Sequence, residues 1–185
     1  MTRDDLLGPP ELVAQRLLGA LLSSRDVVVR VVDVEAYGGA EDAASHAHRG
    51  LTARNASMFG PPGTLYVYLS YGIHHCANVV CGPEGEAAAV LVRGVEVLAG
   101  ADLVATRRGR TDPRGRLDGP GRVCQGLALT RAHDGLDLLA PTAAVRLGDG
   151  SVGALESIVS SPRIGISKER DRRWRFSLRE PGEGS

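Results

Sequence analysis

The segment TLYVYLSYGIHHCANVV, residues 64–80, reads as a β-hairpin. Thr64–Leu69 is the outgoing strand, Ser70-Tyr71-Gly72 the turn and Ile73–Val80 the return. Side chains alternate along a strand with period two, so Tyr66 and Tyr68 share one face. His74 and His75, adjacent on the return strand, point to opposite faces. Tyr71 stands at the tip, where a large ring beside a glycine has little core to enter. Exposed rings at such tips wedge into partners, base steps among them.

Outward from the hairpin, residues 81–86 (CGPEGE) make a second turn. Residues 87–93 (AAAVLVR) form a third strand that delivers Arg93 near its end. Strands joined by short turns imply an antiparallel sheet. Upstream, Val27–Val34 (VVVRVVDV) is β-branched and nearly continuous, the pattern of a buried strand. Gly38-Gly39 closes it just after Glu35 and Tyr37. Residues 9–22 (PPELVAQRLLGALL) predict a helix, with proline in its first turn and a broad apolar side. Residues 38–63 form a loop rich in Gly, Ser, Asn and Pro, long enough to be either functional or disordered. Downstream, the pattern predicts a short helix over 98–108 and a basic Gly/Pro-rich loop over 109–121. A helix near Pro120–Leu129 follows, then short strands at 143–147, 155–160 and 174–178. The last five residues, PGEGS, are expected to fray.

At 185 residues the chain can build one well-cored domain. No apolar run approaches the ~18–20 residues that span a bilayer. The N-terminal residues lack the basic-then-apolar layout of a secretory signal, so a cytoplasmic protein is expected. Cys76, Cys81 and Cys124 are too few and too odd in number for a disulfide framework. The net charge is zero, a weak argument against nucleic-acid binding, but its distribution is uneven. Residues 107–131 hold seven arginines against Asp112 and Asp118, and residues 163–175 hold five arginines plus Lys168 against Glu169 and Asp171. Lys168 is the sole lysine, which leaves one side chain for Schiff-base chemistry.

All four tyrosines and four of the five histidines fall between Val34 and Asn78, together with Glu35. A carboxylate leaving a buried strand is partly removed from water and becomes a stronger base. On spacing alone it is more often the ion-pair partner of an arginine. Tyr66 and Tyr68 on one face are likewise ordinary cross-strand packing taken by themselves. His46-x-His48 and His74-His75-Cys76 could be metal ligands, but no Cys-x-x-Cys or His-Glu-x-x-His is present, and no metal site is expected. The arginine-rich loop alone reads as a solvated face. Its continuation, Asp118-Gly-Pro-Gly-Arg-Val-Cys-Gln, places glycines at a helix N-terminus, where free N–H groups suit a phosphate.

The strings VEAY (34–37), EDAASH (41–46), Arg54-Asn55 followed by Met58-Phe59, PGTLYVYLSYG (62–72), CAN (76–78), VLVRGVE (90–96) and GPGRVCQGLAL (119–129) resemble the alkyladenine (3-methyladenine) DNA glycosylase family. The likeness covers roughly residues 8–178, in family order. It implies an α+β protein, a single mixed domain over 1–185 around a curved antiparallel β-sheet with flanking helices. It also implies a monofunctional enzyme that excises alkylated purines from double-stranded DNA as a monomer, with no cofactor and no membrane partner. Carried over by position, Glu35 resembles the base that activates water, and Arg93 the arginine that holds that water or the adjoining phosphate. Tyr37, His46 and Tyr68 resemble the walls of a flipped-base pocket. Asn78 resembles the residue that crowds the 2-amino group of guanine. Tyr71 resembles the minor-groove wedge, and Gly119, Gly121 and Arg122 a backbone-gripping segment. The chain departs from the family pattern at His74 and His75, where apolar or aromatic residues are expected, and His48 has no assigned role. The competing readings are a non-catalytic module that senses damaged DNA and a zinc-dependent hydrolase.

Overall fold

The structure is a computed structural model that describes residues 1–110 and 115–180. The expected fraying at 181–185, and Asp112 and Arg114 of the basic loop, lie outside the described residues. Two eleven-residue strands, β2 (Val27–Tyr37) and β5 (Ala89–Ala99), pair antiparallel through the middle of the molecule. Register shifts at Val28/Val29 and on both sides of Asp33 interrupt their ladder. Such bulges bend a strand and increase its twist. Gly94 faces Asp33 at this irregularity, and a Cβ on Gly94 would lie 2.8 Å from the Asp33 Cβ. A glycine is required for the backbones to approach so closely.

Because of the bend, each central strand changes its outer partner along its length. The first part of β2 pairs with β1 (Leu21–Ser24), and residues 33–35 pair with β9 (Arg175–Arg179). The first part of β5 pairs with β4 (His74–Val80), and residues 94–96 pair with β6 (Arg116–Asp118). β3 (Leu65–Ser70), β7 (Val145–Gly148) and β8 (Ser157–Ser161) extend the edges, giving a curled, wholly antiparallel sheet in the order β3-β4-β5-β2-β1-β7 with β6, β8 and β9 alongside. Among the described residues three α-helices flank it: α1 (Pro10–Leu17), α2 (Ala101–Arg108) and α3 (Pro120–Leu127). The α+β class and the curved antiparallel sheet are those expected.

Strand periodicity divides the sheet into two faces of different chemistry. Leu65, Val67, Ala77, Val79, Val90, Val92, Val34 and Ala36 lie on one face and join Val13 and Leu17 of α1 and Val123 and Leu127 of α3 in the main core. On the opposite face Tyr66, Asn78, Leu91 and Glu35 stand in one row across β3, β4, β5 and β2, because each is paired directly with the next. This face carries only a small apolar cluster, Ala47, Met58, Tyr66, Val80 and Ala89, and is where the polar residues collect.

The structure corrects several element boundaries. The helix expected over 9–22 ends at Leu17, and Leu21–Ser24 is strand β1. Gly19 makes the break: it has φ +83, its N–H donates to Val31 C=O, and Val31 N–H returns to Ala20 C=O. Chain registry on β2 thus overrides the apolar helical pattern. β5 runs on to Ala99, so the next helix begins at Ala101 and not at Leu98. Strand β6 was not anticipated; three residues inside a basic loop carry too short a pattern. Among the described residues no helix is long and apolar enough to cross a membrane.

A Cβ at Gly19 would lie 2.5 Å from the Ser151 carbonyl oxygen, at a φ that L-residues rarely adopt. Gly19→Ala is therefore expected to destabilise the fold by more than about 1 kcal/mol, measured by urea unfolding. Gly109→Ala, also at positive φ but with open space around it, should cost less.

Candidate active site

A cleft of about 630 Å³ opens on the polar face of the sheet, lined by Tyr37, Ala44, His46, Arg54, Met58, Tyr66, Tyr68, Tyr71, Cys76, Asn78, Leu91, Arg93, Pro120 and residues 164–166, among others. Glu35 lies beneath this lining with no solvent-accessible surface. Tyr37 O–H donates to its Oε2 at 2.8 Å, and Ile164 N–H donates to Oε1 at 2.7 Å. Arg93 places Nη1 3.3 Å from Oε1. The ion-pair partner that spacing alone suggested therefore exists, and it is itself a cleft residue. A carboxylate offers about four acceptor positions, so these two hydrogen bonds leave it room for a further donor. Arg93 Nε is buried and, among the described residues, has no hydrogen-bond partner. A buried donor in that state is a place for a water or a ligand oxygen.

The aromatic walls come from separate elements. Tyr37 ends β2, Tyr66 and Tyr68 share the inner face of β3, and His46 comes from the long loop after β2. That loop is pinned by buried Asn55, whose side chain donates to the carbonyls of His46 and Gly50. His46 meets Tyr68 edge-on at 4.4 Å between ring centres, and its Nδ1 is 3.1 Å from the Tyr66 hydroxyl. Burial pushes the Tyr66 phenol up to about 12. Burial raises Tyr37 and Tyr68 further, helped by the Glu35 carboxylate for Tyr37 and by Cys76 for Tyr68. All three phenols are therefore neutral donors at physiological pH. Asn78 is buried in the cleft wall, with Nδ2 donating to Tyr66 C=O at 3.0 Å.

The hairpin tip stands at the mouth. Tyr71 is 89% exposed with φ +49, Gly72 has φ +70, and Ile73 N–H closes the turn on Ser70 C=O at 3.0 Å. Consecutive left-handed residues are what a tight hairpin turn demands, though a tyrosine rarely supplies one. Gly119 caps α3 at φ +111 and donates its N–H to Arg93 C=O at 2.7 Å. Pro120 lines the cleft and Gly121 packs against His74, where a Cβ would lie 3.1 Å from the imidazole. Arg122 is exposed on the next turn of chain. The segment from Gly119 to Arg122 is thus brought beside the cleft and hairpin, far closer than its place in the sequence suggests. His48 turns away, with Nδ1 2.7 Å from Ala40 C=O.

Residues 4–181 match the family model described as methylpurine-DNA glycosylase (MPG). The chain belongs to the methylpurine-DNA glycosylase family. Bacterial relatives agree: proteins of Mycobacterium tuberculosis (47% identical, 96% of this chain and 89% of the relative), Mycolicibacterium fortuitum (48%, 95% and 92%) and Mycobacterium leprae (46%, 96% and 85%) are each provisionally named 3-methyladenine DNA glycosylase. A member of this family is a DNA glycosylase of alkylated-base repair.

Within this glycosylase the sequence reading overlooked a second ion pair. Arg163 and Asp42 are both fully buried and form a two-pronged bond, Nη1 to Oδ2 at 2.6 Å and Nη2 to Oδ1 at 2.8 Å. The Arg163 guanidinium also lies over the Tyr37 ring, 4.7 Å from its centre. Asp42 sat inside the quoted string EDAASH, and Arg163 was one arginine of a basic run; 121 residues separate them, and no local pattern joins them. Arg54, 5.9 Å from the Tyr68 ring centre at the mouth, was also given no role. Much of the second basic run is spent internally: Arg163 on Asp42, Arg172 on Glu169 and Arg175 on Asp33. Among the described residues no three His, Cys, Asp or Glu side chains converge as metal ligands would.

His46 in the cleft wall and Asp42 buried behind it link stability to pH. Burial, with the Arg54 charge adding to it, holds His46 below the ordinary imidazole value. Burial raises the Asp42 carboxyl, but the Arg163 guanidinium and the Gly38 and Ala44 N–H groups more than offset this and leave it below the carboxylate range. Both folded-state values are depressed, so each contribution is complete above its unfolded value and lost as pH falls. The unfolded values are about 6.5 for histidine and about 3.9 for aspartate. Urea titrations are expected to show stability declining from pH 7 to 5, a slope reduced in His46→Gln. A second decline below about pH 4 should be reduced in Asp42→Asn.

Proposed function

We propose that the protein is a monofunctional DNA glycosylase that hydrolyses the N-glycosidic bond of alkylated purines of the 3-methyladenine and 7-methylguanine type in double-stranded DNA. The observation that carries this reading is Glu35: a fully buried carboxylate with acceptor capacity left over, beneath a cleft walled by Tyr37, His46 and Tyr68. The cleft volume of about 630 Å³ falls within the usual range for small-ligand sites, about 300–1,000 Å³.

N-alkylation places positive charge on the purine and makes it a good leaving group. Bond cleavage then passes through an oxocarbenium-like state, as in sugar hydrolysis. Glu35 takes the proton of a water that attacks C1′, and Arg93, with its unpartnered Nε, holds that water or the neighbouring phosphate. The base must first leave the stack, at a cost of a few kcal/mol. Contact with the rings of Tyr37, His46 and Tyr68 recovers part of it, at about 1–3 kcal/mol per stacked base. Electron-rich phenols favour a cationic methylated ring over a neutral one. Asn78, in the same wall, crowds the 2-amino group of undamaged guanine. Tyr71 wedges into the minor groove and fills the space left by the base, while Gly119, Gly121 and Arg122 grip the backbone.

The placement of the sole lysine supports the reading of an enzyme without a lyase step. Lys168 is exposed and does not line the cleft, so no lysine amine stands among the lining residues to attack a sugar carbon.

The test uses duplexes that each carry one defined lesion, with identification of the released base and of the abasic strand. Release of 3-methyladenine with an intact abasic site is expected. Glu35→Gln should abolish release, by at least about 10²-fold, while retaining affinity for the lesion duplex. Borohydride should trap no covalent adduct. Tyr71→Ala should weaken lesion binding by about 1–3 kcal/mol, the stacking energy of a single base, with less effect on a single-stranded substrate. Binding without release from any lesion would establish the non-catalytic module in place of the enzyme.

A further inference from the structure

We propose that Arg163 is a positioning residue for the Glu35 site, an inference that rests on the reading of Glu35 as the group that activates water. Its side chain completes the end of strand β2. The Ala36 carbonyl accepts from Arg163 Nη1 at 2.9 Å, and the Ala36 N–H donates to the Trp174 carbonyl at 2.8 Å. One residue of β2 therefore fastens both ends of the connection between β8 and β9. The residue after Arg163 is Ile164, whose N–H is the 2.7 Å donor to Glu35. Wherever the guanidinium is anchored, that N–H is anchored one residue away.

The same guanidinium fixes the other side of the cleft. Its fork on Asp42 holds a carboxylate that also accepts from Gly38 N–H and Ala44 N–H, each at 3.1 Å, so the start of the loop leading to His46 is tied to it. Its flat face lies between two rings, 4.7 Å from the centre of Tyr37 and 5.4 Å from that of Trp174. Its Nε, buried, has no partner among the described residues. Lysine retains the charge but has neither the fork nor the plane.

The experiment compares wild type with Arg163→Lys, and with Asp42→Asn in case the lysine variant does not fold. Amide hydrogen exchange is read residue by residue under native conditions, and base release is read in single turnover with enzyme in excess. Exchange at Ile164 is expected to quicken by at least tenfold, while Val34 and Val92 in the β2–β5 ladder keep their protection. Release of a methylated purine should slow by about 10²-fold, the loss that follows from misplacing a reacting group by an ångström. Affinity for a duplex bearing a stable abasic analogue should change less than threefold. Unchanged exchange at Ile164, or release within threefold of wild type, overturns the proposal. So does loss of protection throughout the sheet together with loss of DNA affinity, which marks a general stability role. If the wild-type protein releases no base, the reading of Glu35 fails instead, and the exchange data still decide whether Arg163 places the Ile164 amide.

Discussion

The registry of β2 against β5 is the constraint from which the site follows. Opposed residues on paired strands point the same way, so Glu35 opposite Leu91 puts the carboxylate in the row that holds Asn78 and Tyr66. A slip of one residue would send Val34 to that face and drive the carboxylate into the main core, where Val34 now packs against valines and leucines. The hydrophobic cost of that exchange is several kcal/mol, before any charge is considered. The irregularity around Asp33 and Gly94 sets where the sheet bends, and the bend turns a flat face into a cleft. The geometry of the cleft and the stability of the fold are therefore consequences of one alternating pattern.

Electrostatics refines what the registry places. Glu35 receives a phenol, a backbone amide and a guanidinium from three elements that meet only in the folded state. The Arg163–Asp42 pair lies behind this group with no water contact. A buried pair of this kind recovers its desolvation cost only with good geometry and additional bonds. It has both, in the fork, the Ala36 carbonyl and two backbone N–H groups on Asp42. Such a pair adds little net stability compared with a well-packed apolar core.

Much of the sheet was legible in the sequence because strand alternation and hairpin punctuation are local. Tyr66 and Tyr68 could be assigned to one face, and Tyr71 to a tip, from spacing alone. The second long strand could be found but not its length, because Gly94, which looks like a strand end, is a point of close approach within it. The helix over 9–22 failed for a tertiary reason: Gly19 and Ala20 exchange hydrogen bonds with Val31, and no local propensity registers a partner eleven residues away. The resemblance brought in residues that share a motif, but not Arg163 or Ile164, which reach the site from the far end of the chain. A backbone amide has no side-chain identity, so the donor of Ile164 could be found only in three dimensions.

The turn at Tyr71 has a further consequence. A bulky residue in left-handed backbone is costlier than the same residue in a relaxed strand, by about 1–2 kcal/mol, and that cost is met once, when the chain folds. The ring therefore arrives at any encounter already erect, with no loop to order and little backbone entropy left to lose. A molecule that must test very many sites along a polymer profits from such a fixed post, since each trial begins from the same shape.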